Sequence, residues 1–385
     1  MRILVAPNAF KNSLAAEDVA GAIKEGLEES KLQCSIDCFP VGDGGDGTAE
    51  LLLNYYNGST IHATVHDPLM RKISSSFGLT EGGRTGVIEM ANASGLRLLQ
   101  SNELDPLHTS SFGTGELIKN ALDKGVSKII MCIGGSATVD GAVGLLEALG
   151  FRFLDRNGTQ LINMPETLVD LETIDFSGGD QKVNDCKIVV LCDVKNILLG
   201  KDGAAAVFGP QKGAGPGDVK KLEASLTKLS AIVFKQTGKN MATMESGGAA
   251  GGMAAGLAAL LNADLVNGID YFLSLTNFDD ALKKKDLVIT GEGSIDLQTL
   301  QGKGPFGVAK RAKEKGIPVI GLAGKIPFGR NESLDKYFDV LLSINAEETE
   351  LSYALAQTKQ NLKRTSKYIG DLIAENGFNK NYFYK

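Results

Sequence analysis

The spacing of apolar residues predicts alternating strands and helices at the N-terminal end of the chain. A short apolar run at residues 2–6 predicts a strand, and the apolar residues that follow, up to Leu27, recur at helical spacing. A second strand over residues 34–41 leads through a glycine-rich loop into a helix around Leu52. Two strand-helix units in succession predict two parallel strands.

The same rhythm returns from Gly268 to the C-terminal end. Strands are predicted over residues 286–290, 318–323 and 338–343, with a helix between the first two and a closing helix through Ile373. Added to the two N-terminal strands, these make five parallel strands with intervening helices. That count predicts a flavodoxin-like sheet whose chain is interrupted in the middle.

The middle of the chain has a different pattern. Short alternating or β-branched runs at residues 60–65, 73–79 and 86–90, separated by turn residues, predict an antiparallel meander. Two further apolar runs, at residues 128–133 and 187–192, predict buried strands between helices. This region therefore belongs to a second, mixed sheet.

The predicted architecture is an α/β protein of two domains. A flavodoxin-like doubly wound parallel sheet takes residues 1–64 and 266–385, and a mixed-sheet α/β domain, residues 65–265, is inserted into it. A length of 385 residues suits two domains with separate cores. Residues 203–217 resemble a loop and are interpreted as a mobile lid, with an ordinary surface loop as the alternative.

Composition and charge narrow the functional classes. The 40 Lys and Arg against 46 Asp and Glu leave a formal charge of −6, spread along the chain in both signs. Neither a nucleic-acid binder nor an anionic-membrane binder has this pattern. The five cysteines are an odd number, mostly within apolar runs, and no leader pattern begins the chain. We therefore expect a cytoplasmic protein.

The loop at residues 42–47 carries the first candidate chemistry. It matches Gly-x-Gly-x-x-Gly between a strand and a helix, which is the pattern of a dinucleotide-binding turn. Asp43 and Asp46 lie where a pyrophosphate would bind, and their charges would repel it. Carboxylates there suit a cation or substrate hydroxyls. The alternative is a glycine turn in which Asp46 caps the helix.

Other candidates follow strands of the parallel sheet, beside the ligand crevice of such folds. Lys11 follows the first strand and suits an anionic group, with a solvated lysine as the alternative; Ser13 suits either a ligand or a helix cap. Residues 290–296 follow a later strand, and Lys303 precedes the next helix.

The inserted domain offers two candidate anion sites and one carboxylate. Residues 134–141 and 111–116 bring glycines and hydroxyls to predicted helix N-termini, which bind phosphate through backbone N–H groups. Plain helix capping is the alternative for both. Asp193 directly follows a buried strand, a position that favours catalysis although turn-forming aspartates are common there.

Together these motifs resemble those of the bacterial glycerate kinases of the first type. The resemblance covers nearly the whole chain in order. Its motifs are PNAFKNSL at 7–14, PVGDGGDGT at 40–48, TSSFGTGE at 109–116, GGSATVDG at 134–141, DVKN to VFGPQK at 193–212, the glycines at 248–252, and GEGSIDLQTLQGK at 291–303.

The resemblance implies phosphorylation of D-glycerate by ATP with Mg²⁺, and an active-site cleft between two domains. Its motifs, read with the chemistry above, suggest roles for particular residues. Asp193 is the candidate general base, Asp43 and Asp46 face substrate or Mg²⁺, and Lys11 holds the glycerate carboxylate or the transferred phosphate. Further substrate contacts are expected from Ser13, Gly44, Gly45, Asp296 and Lys303, and nucleotide contacts from Gly113, Thr114, Gly134, Gly135, Ser136 and Thr138.

Two other functions remain open at this point. A nicotinamide-dependent oxidoreductase would account for the Gly-x-Gly-x-x-Gly match, but it predicts an acidic residue closing the second strand, where Pro40 and Val41 stand. A non-catalytic, anion-binding regulatory protein gives no reason for carboxylates and a lysine in one cleft. The hydroxyl that is phosphorylated and the oligomeric state, including a homo-oligomer, stay open.

Overall fold

The computed structural model describes residues 1–327, 329, 331–345 and 350–384. Its strands, in chain order, are β1 (Arg2–Val5), β2 (Ser35–Cys38), β3 (Ser59–His66), β4 (Lys72–Thr80), β5 (Thr85–Glu89), β6 (Lys128–Cys132), β7 (Arg152–Leu154), β8 (Thr173–Asp175), β9 (Lys187–Cys192), β10 (Asp264–Asn267), β11 (Leu287–Ser294), β12 (Val319–Lys325) and β13 (Val340–Ser343). Its α-helices are α1 (Ala16–Glu28), α2 (Thr48–Tyr56), α3 (Ala91–Ser94), α4 (Phe112–Asp123), α5 (Val143–Ala148), α6 (Ala204–Phe208), α7 (Pro216–Thr237), α8 (Ala249–Leu260), α9 (Gly268–Leu275), α10 (Phe278–Ala281), α11 (Gly304–Glu314), α12 (Glu332–Asp335), α13 (Leu351–Ala356) and α14 (Thr358–Asn376).

The chain divides into two compact units. Unit 1 combines Met1–Asp43 with Gly268–Lys385, and unit 2 is Gly44–Asn267. The first boundary lies earlier than the residue 64 that the sequence suggested. The reason is that α2 packs on β4 and β5, and β3 pairs with β4, so both elements belong to the sheet of unit 2. The boundary therefore falls inside the loop at residues 42–47.

Unit 1 has a five-stranded parallel sheet in the order β13-β12-β11-β1-β2. Counted within the unit, this is the 2-1-3-4-5 order of flavodoxin-like folds, so the expected fold class is confirmed. The strand order reverses between β1 and β11. Ligands of open α/β sheets bind outside the carboxyl ends of the strands at such a switch point. The fold therefore directs attention to the residues that end β1, β2 and β11.

Helices cover both faces of this sheet, because its strands are apolar on both sides. On one face Ile3 and Ile289 pack with residues of α1 and α14 such as Ile23 and Ile369. On the other face α11 packs against β11, β12 and α9. Within the described part of the chain, no helix combines the length and the apolar character needed to cross a membrane.

Unit 2 is built on a six-stranded mixed sheet in the order β10-β9-β6-β5-β4-β3. The strands β10, β9, β6 and β5 are parallel, and β5, β4 and β3 form the predicted antiparallel meander. The sequence did not predict β10 or the small β7-β8 sheet, because these runs are short and weakly apolar.

Residues 203–217 do not form the loop that the sequence predicted. Residues 203–217 contain α6 and a 3₁₀ turn, Pro210–Lys212, that ends on the fully buried Lys212. The first residues of α7, Pro216 and Gly217, also fall within this segment. The glycine and proline residues of this segment are typical of a loop. Instead Gly213 adopts φ 102° and packs against the backbone of Leu104. This close contact holds the segment against the residues around Leu104.

One buried carboxylate organises the centre of unit 2. Asp140 Oδ2 accepts hydrogen bonds from Ser111 N at 2.9 Å, Ser111 Oγ at 2.6 Å and Gly144 N at 3.3 Å. Its Oδ1 accepts from Ala142 N at 3.3 Å. The starts of α4 and α5 are therefore joined through a single anion, which satisfies amide groups that helix ends leave unpaired.

We expect Asp140→Ala to lower the free energy of unfolding by roughly 3 kcal/mol or more, because several buried donors lose their acceptor at once. Denaturant unfolding followed by circular dichroism measures the change. The matched control is Asp202→Ala, whose side chain is 74% exposed and should leave stability within about 0.5 kcal/mol. A loss below 1 kcal/mol for Asp140→Ala would contradict this role.

Candidate functional site

In unit 1, polar residues meet at the carboxyl ends of β1 and β2. Asn8 follows β1, Asp43 follows β2, and both are buried. Asn8 Nδ2 donates to Asp43 Oδ2 at 2.8 Å, and the amide of Gly304, the first residue of α11, donates to the same oxygen at 3.3 Å. Asp43 is thus oriented by an amide side chain and by a helix N-terminus, whose dipole favours a negative charge.

Glu292 adds a second buried carboxylate at the end of β11. Only 8% of the residue is exposed, and Oε1 accepts a hydrogen bond from Thr299 Oγ1 at 2.9 Å. The pKa of Glu292 is raised to about 7, mainly by burial. The charges of Lys303 and Lys11 oppose this shift, and the charge of Asp43 adds to it. A carboxyl group with this pKa exchanges a proton near neutral pH, as a general base or acid requires.

The remaining sequence candidates of unit 1 divide into two kinds. Lys11 and Lys303 supply the positive charges that act on Glu292, so both belong to its surroundings. Ser13 and Asp296 have structural partners instead: Ser13 Oγ donates to Leu355 O at 2.7 Å, and Asp296 Oδ1 accepts from the amide two residues later at 2.7 Å. Neither is a substrate contact that this geometry favours.

In unit 2, the glycines of two loops bring their backbones together. The amide of Gly134 donates to Gly44 O at 3.0 Å, and a Cβ on Gly134 would lie 2.5 Å from the Cα of Gly45. Gly135 adopts φ 72°, and a Cβ there would lie 2.5 Å from a carboxylate oxygen of Asp46. The predicted substrate residues Gly44 and Gly45 thus lie directly beside the predicted nucleotide loop.

Asp46 is exposed, and the capping role that was its alternative belongs to another residue. The amides of Gly47 and Ala49, at the start of α2, donate to the buried carboxylate of Glu89 at 3.1 to 3.4 Å. Burial raises the pKa of Glu89, whereas these amides and the charge of Arg97 lower it. The carboxylate of Asp46 therefore does not cap α2.

The loop at residues 134–138 is fixed by a buried lysine. Lys212 Nζ donates to Ser136 Oγ at 2.8 Å and to Thr138 O at 2.6 Å. Burial lowers the pKa of Lys212 to about 7, and the charge of Asp140 opposes this effect. Ser136 and Thr138 are buried, while Gly134 is half-buried and Gly135 is exposed. Gly134 and Gly135 are thus the accessible members of the predicted nucleotide set.

Gly113 and Thr114 are packing residues, which corrects their predicted role. A Cβ on Gly113 would lie 1.8 Å from His66 O, and the fully buried Thr114 pairs its hydroxyl with Ser94 Oγ at 2.7 Å. The helix N-termini that suggested phosphate sites here already hold an anion, the carboxylate of Asp140. Sequence spacing could not reveal this intramolecular occupant.

Asp193 follows β9 directly and is half-buried, as its place in the sequence suggested. Its role as a base stays a prediction. Among the described residues, no group of three or more His, Cys, Asp or Glu side chains is arranged to hold a metal ion. The two carboxylates of the expected pair belong to different units, Asp43 to unit 1 and Asp46 to unit 2.

Glu292 and Lys212 are not among the site residues expected from the sequence. Both lay inside motifs that were noted, GEGSID and FGPQK, but a charged residue in a glycine-rich stretch is usually solvated. Their signal is burial, which depends on the packed structure. Buried ionisable groups are rare and mark candidate functional sites.

Comparison with known proteins gives a consistent family assignment. The model of the glycerate kinase family matches residues 3–374. The chain is 42% identical to the glycerate kinase of Bacillus subtilis (strain 168), covering 97% of this chain and 98% of the relative. It is 41% identical to the glycerate 2-kinase of Escherichia coli (strain K12), with coverage of 97% and 98%.

A solved structure from Salmonella typhimurium LT2, described as a proposed glycerate kinase 2, has the same fold. It superposes with a TM-score of 0.80 at 40% sequence identity and covers 96% of this chain and 97% of that one. Family model, relatives and fold therefore agree along nearly the whole length, and the chain belongs to the glycerate kinase family.

Proposed function

We propose that this chain transfers the terminal phosphoryl group of ATP to a hydroxyl of D-glycerate, releasing phosphoglycerate and ADP. The observation that carries the proposal is the buried Glu292 at the switch point of the parallel sheet, beside Asp43 and two lysines, in a chain of this family. The name of the Escherichia coli relative favours the 2-hydroxyl as acceptor. The proposed use of ATP by this chain and its five free cysteines suit a cytoplasmic enzyme.

Glu292 suits the acceptance of the proton that the attacking hydroxyl must lose. A base works best when its pKa lies near the working pH, and burial places that of Glu292 at about 7. Lys11 and Lys303 supply positive charge for the carboxylate of glycerate. Asn8 and the start of α11 hold Asp43 in place for the substrate hydroxyls.

The nucleotide phosphates suit the accessible glycines of unit 2. The amides of Gly135 and Ser136 donate to no other group of the described chain, and small residues let a phosphate approach the backbone. Asp46, beside Gly135, suits a magnesium ion that arrives with the nucleotide, because Mg²⁺ is usually held by one or two carboxylates and the substrate phosphates. When bound, Mg²⁺ neutralises charge on the transferring phosphate.

Phosphoryl transfer needs donor and acceptor in line. The proposed acceptor groups belong to unit 1, and the proposed phosphate loop belongs to unit 2. Asp193 remains the alternative base, at the end of β9 in unit 2. Asp193 is only half-buried whereas Glu292 is buried, so Glu292 is the stronger proposal.

The purified chain, incubated with ATP, Mg²⁺ and D-glycerate, should form ADP and one phosphoglycerate in equal amounts. Phosphorus NMR of the mixture distinguishes 2-phosphoglycerate, the expected product, from 3-phosphoglycerate. Formation of ADP without a phosphorylated acid would contradict the proposed acceptor. Reduction of a nicotinamide cofactor with glycerate would support an oxidoreductase instead.

We expect Glu292→Gln to lower kcat about 100-fold or more, because a positioned proton acceptor is lost. The wild-type kcat should rise with pH through an apparent pKa of about 7, since the base must be ionised, and the variant should lose this dependence. The matched control is Glu314→Gln on the exposed side of α11. Near-normal turnover in Glu292→Gln with loss of activity in Asp193→Asn would transfer the role to Asp193.

The same substitution should not weaken the fold. A raised pKa means that the folded state binds the Glu292 proton more tightly than the unfolded state does, so stability is present at low pH and is lost as pH rises through about 7. The loss amounts to roughly 3 kcal/mol above that pH. Glu292→Gln removes this term, so urea unfolding at pH 8 should show equal or greater stability than wild type. Marked destabilisation at pH 8 would indicate a structural role.

A further inference from the structure

Lys212 is a buried cation whose position is not explained by packing. Only 2% of the residue is exposed, although removing an ammonium group from water is costly. An apolar residue would fill the same space without that penalty. The segment that carries it is held in place by Gly213, whose missing Cβ allows contact with Leu104 O. The fold therefore directs a charge to one particular place.

The Lys212 ammonium contacts the loop at residues 134–138. The two acceptors of Lys212, Ser136 Oγ and Thr138 O, both belong to this loop. Of the described residues, Asp140 is the charged group that acts on the ammonium. Asp140 also holds four donors at the starts of α4 and α5, so its negative charge is shared among them. The lysine charge is therefore only partly neutralised.

The loop itself retains unused hydrogen-bonding groups. The hydroxyl of Thr138 is buried and has no hydrogen-bond partner in the part of the chain that the structure describes. The amides of the exposed Gly135 and of the buried Ser136 likewise donate to no described group. Buried polar groups without partners are rare and point to a ligand or a bound water. A loop with unpaired donors and a buried cation in contact with it suits an anion.

We propose that Lys212 is a positioning residue of the nucleotide site, which holds residues 134–138 in place and supplies through Ser136 the positive charge that a bound phosphate requires. This inference rests on the proposed function, since it takes the anion to be the phosphate chain of ATP. Lys212 does not contact the nucleotide in this account. It acts through the loop that does.

Nucleotide binding should then be coupled to proton uptake. Without nucleotide, Lys212 is mostly neutral above pH 7, because burial lowers its pKa to about 7. A phosphate at the loop favours the charged form and raises that pKa. Affinity for ATP should therefore be greatest below pH 7 and fall by up to about tenfold per pH unit above it. At pH 8 roughly 0.9 proton should be taken up per nucleotide if the bound pKa is well above 8.

The test is isothermal titration calorimetry of wild-type protein with ATP and Mg²⁺, without glycerate, at pH 8. Two buffers of different ionisation enthalpy give the number of protons taken up. Lys212→Met keeps the length of the side chain and removes its charge. The matched control is Lys201→Met, at a lysine whose side chain is 92% exposed and which lies just before residues 203–217. Thermal unfolding reports whether each variant folds.

We expect Lys212→Met to bind ATP at least about tenfold more weakly at pH 7, with no linked proton uptake, while the KM for glycerate stays within about twofold. Lys201→Met should match wild type in all three. Wild-type affinity and proton uptake in Lys212→Met would overturn the proposal. If that variant does not fold, the wild-type measurement decides alone, because ATP binding without proton uptake at pH 8 also overturns it. A wild-type protein that phosphorylates glycerate yet takes up no proton contradicts the role of Lys212 and leaves the proposed function standing.

Discussion

A carboxylate buried at the carboxyl edge of a parallel sheet is the constraint from which the account of this protein follows. Parallel strands end at one edge, and the reversal of strand order between β1 and β11 opens a crevice there. Glu292 and Asp43 occupy that edge with little access to water, so their charges act on each other and on the nearby lysines. Burial, rather than any unusual chemistry, gives Glu292 a pKa suited to proton transfer near neutral pH.

In unit 2 the buried charges have a structural role rather than the role in proton transfer proposed for Glu292. There a buried anion and a buried cation serve the backbone: Asp140 joins the starts of α4 and α5, and Lys212 fixes the loop at residues 134–138. Both are costly to bury, and both form hydrogen bonds with loop or helix ends. The result is a loop held by buried hydrogen bonds, with Gly135 exposed. Such preorganised donors suit phosphoryl transfer, because catalysis of that reaction depends mostly on positioning the substrates and stabilising charge.

The sequence predicted the strands of unit 1 well, because five short apolar runs separated by helical periodicity admit few arrangements. It failed where tertiary packing decides. The helix α2 follows a strand in the sequence as the helices of unit 1 do, but it packs in unit 2. Gly113 and Thr114 resemble a phosphate site in the sequence, but both are buried in the interior. Residues 203–217 resemble a loop, but they carry the buried Lys212. Glu292 and Lys212 were overlooked for the same reason. Charge is visible in a sequence, whereas the absence of water around it is not.

The central claim is that Glu292 is a buried carboxyl group that titrates near neutral pH at the substrate edge of the sheet. Carbon-13 NMR of protein labelled at the glutamate side-chain carboxyl, titrated from pH 4 to pH 9 with and without D-glycerate, measures this directly. We expect one glutamate signal with a midpoint near pH 7 that is missing in Glu292→Gln and shifts when glycerate is added. A spectrum in which every glutamate titrates near its ordinary pKa of about 4.3, with no response to glycerate, would contradict it.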